Sequence, residues 1–477
     1  MPQGLGTPET TLTPAKSRIY RNMAAGPVST RERGPVRGRA KIPRPSAFEP
    51  RPMPSDPMPD ALRSPRKPRV LLLSPYFFPV LGGAETAAMG VARYLQAHDY
   101  PVFVVTKRIL REHPLRETVQ GVPVRRIPPV GRRSGFAKWI MLPSTFAALV
   151  RWRHDYDVIF NIDYRGVGIA AVCAGRLVGR PVLVRAETTG VVSCGNWDSA
   201  LRRAGLNPRG LIARAITAPI RAFYRRADAH ACLMASIEQE TLDAGVPASR
   251  VHRVAHGIDM RLFRPPAPGE APALREGLGW PRDRVVCLYL GRLSLEKGAL
   301  DLLDVWNRIR PAGATLVLAG PDMDGHPWNV GPQAREFVRT HGLADSVTFH
   351  GPTDDAPRLL RAADVFVLPS HFEALSVAAI EASAAGLPIV ATAVGGIGDY
   401  MVDGVNGVLV PPRDPERLAD ALTRVMADPG LRGRLGREAR TRAEHLFSED
   451  AVYGRLAGIL TALAFPPATR PGDSPVS

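Results

Sequence analysis

Short apolar runs separated by longer amphipathic segments recur along the chain from residue 70 onward. Each run is apolar at successive positions rather than at alternate ones, which is typical of strands buried on both faces in a parallel sheet. The first set of predicted strands covers residues 70–73, 102–105, 158–160, 182–184, 229–233 and 251–254.

After a proline-rich link at 256–272 the alternation begins again, and the second set covers 285–290, 315–319, 347–349, 365–368, 389–391 and 408–410. Two successive rounds of strand and helix predict an α/β protein with two doubly wound, Rossmann-like domains. We place the first domain at 69–255 and the second at 256–443. A helical stretch follows from 415 to about 465, and tails are predicted at 1–68 and 466–477.

Charge is unevenly distributed along the 477 residues, whose net charge is +17. Residues 1–68 hold 13 Lys and Arg against 5 Asp and Glu, together with 14 of the 47 prolines. Such a composition predicts disorder. The segment is interpreted either as a solvated extension or as an arm that contacts phosphates or anionic lipid. It has no apolar core of the kind found in a secretory signal.

The cysteine spacings bear on the redox state of the compartment in which the protein is expected. None of the spacings among Cys173, Cys194, Cys232 and Cys287 resembles a zinc site or a CxxC pair, so we expect free thiols in a reducing cytosol. No stretch reaches the roughly 18 uninterrupted apolar residues of a membrane-spanning helix.

Open parallel sheets bind ligands beyond the carboxyl ends of their strands, so the loops there are the candidate sites. Gly82 and Gly83 follow the first strand and open a helix, where exposed N–H groups admit an anionic or polar ligand, although a turn explains such a pair equally well. In the second domain, Arg292 and Lys297 bring two positive charges to the carboxyl end of strand 285–290, enough to match a diphosphate without a metal ion. A basic surface loop is the alternative, and Gly298 after the lysine excludes a Walker loop.

A third loop, after strand 365–368, holds two acidic residues eight positions apart. We predict a helix from about Ala374 to Gly386, with Glu373 at its entrance and Glu381 two turns in. Eight helical residues rise by about 12 Å, comparable to the span from a sugar ring across a diphosphate to a ribose. The free N–H groups of Ala374, Leu375 and Ser376 are then predicted to bind the phosphate.

Together these segments resemble the retaining nucleotide-sugar glycosyltransferases of the GT-B fold, family four (glycosyl transferases group 1). The resemblance extends from about residue 69 to 465. It rests on 78–85 (FPVLGGAE), 291–298 (GRLSLEKG), 370–373 (SHFE) with Glu381 and the following Gly-Leu-Pro, and Asn406-Gly407.

The resemblance implies that Arg292 and Lys297 hold the donor diphosphate, that Glu373 meets the donor sugar and that Glu381 binds the ribose. Gly82 and Gly83, in the acceptor domain, would lie beside the phosphate, and residues 394–396 would shape the sugar end of the site. A helix within 444–465 would cross back from the donor domain to the acceptor domain. No cofactor or metal is expected, and the acceptor would be a glycan or a lipid-linked sugar.

The chain departs from related sequences where those often place histidines, since it has Asp163 and Glu187 there. Either acid faces the acceptor hydroxyl or the reacting sugar, or it belongs to an ordinary loop beside the core. Asp322-Met323-Asp324 has the form of a metal-binding DxD but is interpreted as a turn. Two basic amphipathic segments, 132–153 and 207–226, either rest on an anionic bilayer or simply cover a sheet.

Other functions fit less of the sequence. A basic nucleic-acid-binding protein explains the charge but not Glu373 and Glu381. A dinucleotide-dependent dehydrogenase would need a GxGxxG between strand and helix. An epimerase or phosphorylase of the same fold stays open. The sequence therefore predicts transfer of a sugar from a nucleoside diphosphate to an acceptor hydroxyl, with retention at the anomeric carbon, in glycan, polysaccharide or glycolipid synthesis.

Overall fold

The computed structural model describes residues 66–79, 83–131, 140–162, 166–195, 201–202, 204–208 and 210–466. Predictions for residues 1–65 and 467–477 lie outside this part of the chain. Contacts with the first domain begin slightly before the predicted boundary at 69, because the Lys67 ammonium donates to the carbonyl of His98 at 2.7 Å.

The first sheet is built from the amino-terminal half of the described chain. Its strands lie in the order β3-β4-β2-β1-β5-β6-β7-β8, and all neighbours are parallel except β3 and β4. The strands are β1 (Val70–Leu73), β2 (Val102–Lys107), β3 (Arg116–Val119), β4 (Val122–Ile127), β5 (Val158–Ile162), β6 (Val182–Ala186), β7 (Ala229–Cys232) and β8 (Val251–Arg253). The helices are α1 (Gly83–Ala97), α2 (Leu142–Arg151), α3 (Val167–Val178), α4 (Leu211–Tyr224) and α5 (Ala235–Asp243).

The second sheet is parallel throughout, in the order β11-β10-β9-β12-β13-β14. Its strands are β9 (Val285–Leu290), β10 (Ala314–Ala319), β11 (Val347–Gly351), β12 (Val365–Leu368), β13 (Ile389–Thr392) and β14 (Val408–Val410). The helices are α6 (Glu270–Leu278), α7 (Ala299–Ile309), α8 (Gly331–Thr340), α9 (Ala356–Ala362) and α10 (Val377–Ala384). If the strands are numbered in chain order with β9 as strand 1, their order in the sheet is 3-2-1-4-5-6. The topological switch point therefore lies between β9 and β12.

An antiparallel hairpin, β3–β4, was absent from the predicted strands. Its two strands alternate between exposed and more buried positions, unlike the fully apolar runs of the core. Gln120 and Gly121 connect them with positive φ angles of 49° and 86°, as a two-residue hairpin turn requires. The short polar sequence Arg-Glu-Thr-Val gave no buried-strand pattern.

The carboxyl-terminal helical stretch is three helices, α11 (Pro415–Ala427), α12 (Pro429–Phe447) and α13 (Glu449–Ala464). Asp428 and Ser448 interrupt it, because each side chain accepts a hydrogen bond from the first turn of the following helix. The last helix returns to the first sheet, where Tyr453 packs on Tyr94 of α1 with ring centroids 5.6 Å apart.

Two crossings join the domains. The N–H of Ile258, on the outward crossing, donates to the carbonyl of Phe447 on the return crossing at 2.6 Å. The N–H of Glu449 donates back to Ile258 at 3.2 Å. Most strands of both sheets are almost completely buried beneath their helices, whereas β3, β8 and β11 are partly exposed. Among the described helices, none combines the length and apolarity needed to cross a membrane.

Candidate functional site

The loops after β9 and β12 meet at the switch point because those strands are neighbours. Gly298 ends the first loop with φ of +71°, and a Cβ there would lie 2.0 Å from the carbonyl oxygen of Pro369. The N–H of His371 donates to the carbonyl of Glu296 at 2.8 Å, and its ring lies 2.5 Å from the Asp301 carboxylate. The two loops therefore approach so closely that only glycine fits at position 298.

Lys297 and Glu373 are brought into direct contact by these loops. The Lys297 ammonium lies 2.7 Å from Oε1 of Glu373, and the Ser370 hydroxyl donates to the same oxygen at 2.8 Å. Glu373 is buried, with a side chain only 5% exposed. Two donors on one carboxylate oxygen hold the side chain in one orientation, and within the described residues Oε2 accepts no hydrogen bond. Ser370 was not predicted, since nothing in the sequence distinguishes it from a turn serine.

Arg292 points toward Glu296 rather than toward Glu373. The two side chains form an ion pair four residues apart, and the guanidinium is about half exposed. The Glu296 side chain is only 14% exposed, so an incoming anion would reach the pair from the exposed side of the Arg292 guanidinium. The carbonyl of Arg292 accepts from the Tyr289 hydroxyl at 2.7 Å, which anchors the loop's backbone.

The third loop differs from the prediction. Helix α10 begins at Val377, with Ser376 as its N-cap, so Ala374, Leu375 and Ser376 precede the helix and Glu373 does not stand at its entrance. The Ser376 hydroxyl accepts from the N–H of Ala379 and competes successfully with an earlier helix start.

The N–H groups of residues 374–378 donate to no acceptor in the described part of the chain. Their row includes the amino terminus of α10, where the helix dipole favours negative charge. Although the helix start was wrongly placed, this arrangement still presents free donors beside Lys297 and Glu373.

Glu381 lies one turn into α10, nearer the helix start than predicted. Glu381 as a whole residue is partly buried, on a helix where Ile380, Ala382 and Ala384 are buried, and its side chain forms no hydrogen bond or ion pair with another described residue. Burial alone raises the pKa of the Glu381 carboxyl to about 8, because no neighbouring charge compensates the lost hydration. A carboxyl group in such surroundings requires a polar partner.

A turn after β13, residues 395–399, supports the third loop from beneath. Gly395 has φ of +56°, and a Cβ there would lie 1.8 Å from the carbonyl oxygen of Glu373. The N–H of Gly396 donates to the carbonyl of Ala374 at 2.7 Å. At the other end of the turn, the Asp399 carboxylate accepts from the N–H of Ala235 at 2.5 Å, which connects it to the amino terminus of α5 in the first domain.

The first domain offers fewer observations on its predicted residues. Gly82 and Asp163 lie outside the described residues. Gly83 is the first residue of α1, and a Cβ there would meet open space, so packing does not require glycine.

Glu187 belongs to a buried polar cluster that the sequence did not reveal. Its Oε1 accepts from Nε of Arg185 at 2.8 Å, and its Oε2 lies 3.8 Å from Nε2 of His256. Burial, together with the Arg185 charge, lowers the pKa of His256 to about 3, so this imidazole is neutral. The cluster joins the end of β6 to the outward crossing, because His256 immediately precedes residues 257 and 258.

Asp322 of the DxD segment is engaged locally. Its carboxylate pairs with Arg335 of α8 at 2.9 Å. In the described residues, no group of three or more His, Cys, Asp or Glu side chains is arranged to hold a metal ion.

The site can now be compared with known proteins. Residues 270–442 match the family described as "Glycosyl transferases group 1", and residues 82–257 match "Glycosyl transferase 4-like domain". The D-inositol 3-phosphate glycosyltransferase of Frankia alni is 30% identical over 382 residues, covering 76% of this chain and 90% of the relative. The chain belongs to the group 1 glycosyl transferases. The resemblance seen in the sequence is therefore confirmed.

Other relatives align over different lengths. The mannosylfructose-phosphate synthase of Agrobacterium fabrum is 26% identical over 449 residues, covering 87% of this chain and 96% of the relative. The D-inositol 3-phosphate glycosyltransferase of Xylanimonas cellulosilytica is 37% identical over 234 residues, covering 47% of this chain and 55% of the relative. The chain thus spans about half the length of several curated relatives that it matches.

Solved structures confirm the GT-B arrangement of two Rossmann-like domains. Anabaena HepE in complex with UDP superimposes with a TM-score of 0.66 at 22% identity, covering 83% of this chain and 100% of that chain. Sucrose-phosphate synthase from Thermosynechococcus elongatus superimposes with a TM-score of 0.66 at 24% identity, covering 82% of this chain and 98% of that chain. At these identities the likeness establishes the fold alone.

Proposed function

We propose that this group 1 glycosyl transferase transfers a sugar from a nucleoside diphosphate sugar to an acceptor hydroxyl, with retention at the anomeric carbon. The observation that carries the proposal is the contact between Lys297 and Glu373 beside the free N–H groups of 374–378. A cation, a row of donors and an oriented carboxylate are the groups that a sugar diphosphate requires.

The second domain supplies the donor contacts in this proposal. The diphosphate lies between Lys297 and the amino terminus of α10, and Arg292 exchanges Glu296 for a phosphate oxygen. Glu373, oriented by Ser370, accepts hydroxyl groups of the sugar. Glu381 accepts the ribose hydroxyls, which gives its carboxylate the polar partner that the described part of the chain does not supply.

The proposed reaction is a front-face displacement. The bond between the anomeric carbon and the diphosphate oxygen breaks, and Arg292, Lys297 and the α10 amino terminus stabilise the negative charge on the leaving group. The acceptor oxygen forms the new bond on the same face, and its proton passes to an oxygen of the departing diphosphate. Two cations already match the leaving group's charge, so we propose that no metal ion is needed.

The names of relatives are consistent with this donor class. Two other HepE structures are described as complexes with UDP and glucose and with UDP-glucose. For this chain we propose a glycan or lipid-linked acceptor, and a role in polysaccharide or glycolipid synthesis. The four cysteines form no disulfide, which supports a cytoplasmic location.

The proposal is tested first by incubating the full chain with UDP-, GDP- and ADP-sugars and measuring donor-specific thermal stabilisation. Arg292→Ala and Lys297→Ala should then lower kcat by roughly a hundredfold or more, because each removes charge stabilisation from the leaving group. Arg339→Ala, at an exposed position on α8, is the matched control and should leave kcat unchanged.

Two further readouts separate the parts of the proposal. NMR of the product distinguishes retention from inversion at the anomeric carbon, and turnover in the presence of a chelator tests metal independence. If Arg292→Ala and Lys297→Ala both turn over at the normal rate, these two residues do not stabilise the leaving group. An inverted product would refute the front-face step while leaving the donor contacts intact.

A further inference from the structure

Besides the contact between Lys297 and Glu373, a second pair of side chains joins the segment after β9 to the loop after β12. Four residues beyond Lys297, the carboxylate of Asp301 meets the ring of His371, whose Nε2 lies 2.5 Å from Oδ2 of the aspartate. At this distance the imidazole donates a hydrogen bond to the carboxylate. The two segments are therefore paired by residues that stand four apart on one of them and two apart on the other.

The pair between Asp301 and His371 is partly shielded from water. The His371 side chain is 3% exposed and the Asp301 side chain is 31% exposed. Hydrogen bonds to a charged group are stronger where water is partly excluded, so this contact restrains the loop more firmly than an exposed surface pair would. Asp301 stands in the first turn of α7, where the helix dipole alone favours an acid. The dipole does not explain why a buried imidazole is turned toward it.

The backbone that carries His371 also carries Glu373. The N–H of His371 donates to the carbonyl of Glu296 at 2.8 Å, which fixes the loop beside the segment after β9. His371 and Glu373 both turn toward that segment and have buried side chains, whereas Phe372 between them is 54% exposed. The imidazole and the carboxylate thus project to the same side of one short, restrained stretch of chain.

We propose that Asp301 is a positioning residue, which acts through His371 to fix Glu373 against Lys297 and thereby orients the donor sugar. This inference rests on the proposed function, in which Glu373 accepts hydroxyl groups of the sugar. A displacement of about 1 Å in a group that orients a substrate can slow a reaction by about a hundredfold. Loss of a contact two residues away on the same backbone should allow a displacement of that kind.

A merely structural role for the pair makes a different prediction. If Asp301 and His371 only stabilised the fold, their loss would weaken the binding of a nucleoside diphosphate and of its sugar derivative alike. Positioning of Glu373 predicts a selective loss instead, because UDP lacks the sugar that Glu373 is proposed to orient. The comparison of UDP with UDP-glucose therefore separates the two roles.

Asp301→Ala is the first test, since it removes the carboxylate and leaves a residue that favours helix. Turnover is followed as release of UDP from UDP-glucose with water as the acceptor, or of GDP or ADP if their sugar derivatives stabilise the chain. We expect kcat to fall about tenfold or more, while the Kd of the free nucleoside diphosphate changes by less than about twofold. Asp301→Asn keeps an oxygen that accepts from the imidazole and should retain most of the turnover.

A second variant and a matched control complete the series. His371→Phe keeps a buried ring but removes the donor, so kcat should fall by a similar factor, and combining it with Asp301→Ala should cause little further loss. Asp304→Ala, on the same helix, removes a half-exposed carboxylate that pairs with Arg308 at 2.8 Å and should leave kcat unchanged. Circular dichroism and thermal melts confirm that each variant is folded.

Urea unfolding tests the positioning of Glu373 without any nucleotide sugar. The separate losses in urea midpoint caused by Asp301→Ala and Lys297→Ala should sum to more than the loss in the double variant, because both contacts hold the same loop. Asp304→Ala combined with Lys297→Ala should instead give additive losses.

Normal turnover by Asp301→Ala, equal weakening of UDP and UDP-glucose binding, or additive losses for Asp301 and Lys297 would each overturn the inference. Other results would count against the proposed function. If no nucleotide sugar is bound or turned over, or if Glu373→Gln binds UDP-glucose as tightly as the unchanged chain, Glu373 does not meet a donor sugar. The urea experiment would then still decide whether Asp301 positions Glu373.

Discussion

Replacing Glu381 by Gln should remove a pH-dependent cost from folding. Glutamine keeps the size of the side chain but cannot ionise. In the unfolded chain this carboxyl loses its proton near its ordinary pKa of 4.5, whereas burial raises the pKa to about 8 in the folded protein. Between those values the folded state retains a proton that the unfolded state has released, so the stability of the unchanged protein falls as pH rises.

The size of the effect follows from the displacement of the pKa. Each unit corresponds to about 1.4 kcal/mol, so the cost accumulates through the window from about 4.5 to 8 and reaches at most about 5 kcal/mol. Because Glu381 is only partly buried, water near the carboxyl should reduce this figure. The Gln variant should equal the unchanged protein near pH 4.5 and become progressively more stable by comparison toward pH 8.

Urea unfolding at pH 5, 6.5 and 8 measures this difference. Glu336→Gln on α8 is a suitable control, because the Arg339 hydrogen bond lowers the pKa of Glu336 and its loss should not stabilise the protein at high pH. Parallel stability curves for Glu381→Gln and the unchanged chain would refute the assigned environment of Glu381.

The same carboxyl should report nucleotide binding. Hydroxyl groups that donate to Glu381 favour its ionised form, so binding of UDP or GDP near pH 7 should release a proton. Calorimetry in two buffers with different ionisation enthalpies detects that proton, and Glu381→Gln should both abolish it and weaken nucleotide binding. Proton release that persists in the variant, or an unchanged affinity, would argue against contact with the ribose.

Two further predictions concern the loops. Gly298→Ala should lower stability and donor affinity more than Gly325→Ala. Both glycines have φ near +70°, but only a Cβ at 298 meets the Pro369 carbonyl. Equal denaturant midpoints for the two variants would contradict this prediction. Asp399→Ala should weaken the contact with α5 by about 1 kcal/mol and enlarge the radius of gyration in solution scattering. Asp414→Ala removes a comparable cap within the second domain and should leave the radius of gyration unchanged. Identical scattering for the two variants would refute the role of Asp399 between the domains.

Much of the fold was predictable because its strands are apolar at every position. The bounds 285–290, 365–368 and 408–410 coincide with β9, β12 and β14. The β3–β4 hairpin was missed because its strands have one exposed face and short polar sequences. The start of α10 was placed too early because Ala374 and Leu375 favour helix, while the cap formed by Ser376 depends on local geometry.

Within the site, the sequence identified charged residues but not what positions them. Lys297 and Glu373 stand 76 positions apart, and their contact depends on β9 and β12 being neighbours. The roles of Gly298 and Gly395 depend on carbonyl groups of distant segments. Arg185, Glu187 and His256 similarly meet only after the first sheet and the outward crossing have formed.

The turn at 395–399 contacts both the loop that carries Glu373 and the first domain, two parts of the molecule that nothing in the sequence connects. Gly395 sets how closely the turn approaches the backbone of Glu373, and Gly396 holds the carbonyl of Ala374. Four residues after Gly395, Asp399 receives the N–H of Ala235 from the other domain. Because so short a segment cannot shift at one end without moving the other, the position of the proposed sugar-binding carboxylate depends on the contact between the domains. A change in the contact between the two domains should therefore shift the loop that is proposed to hold the donor sugar.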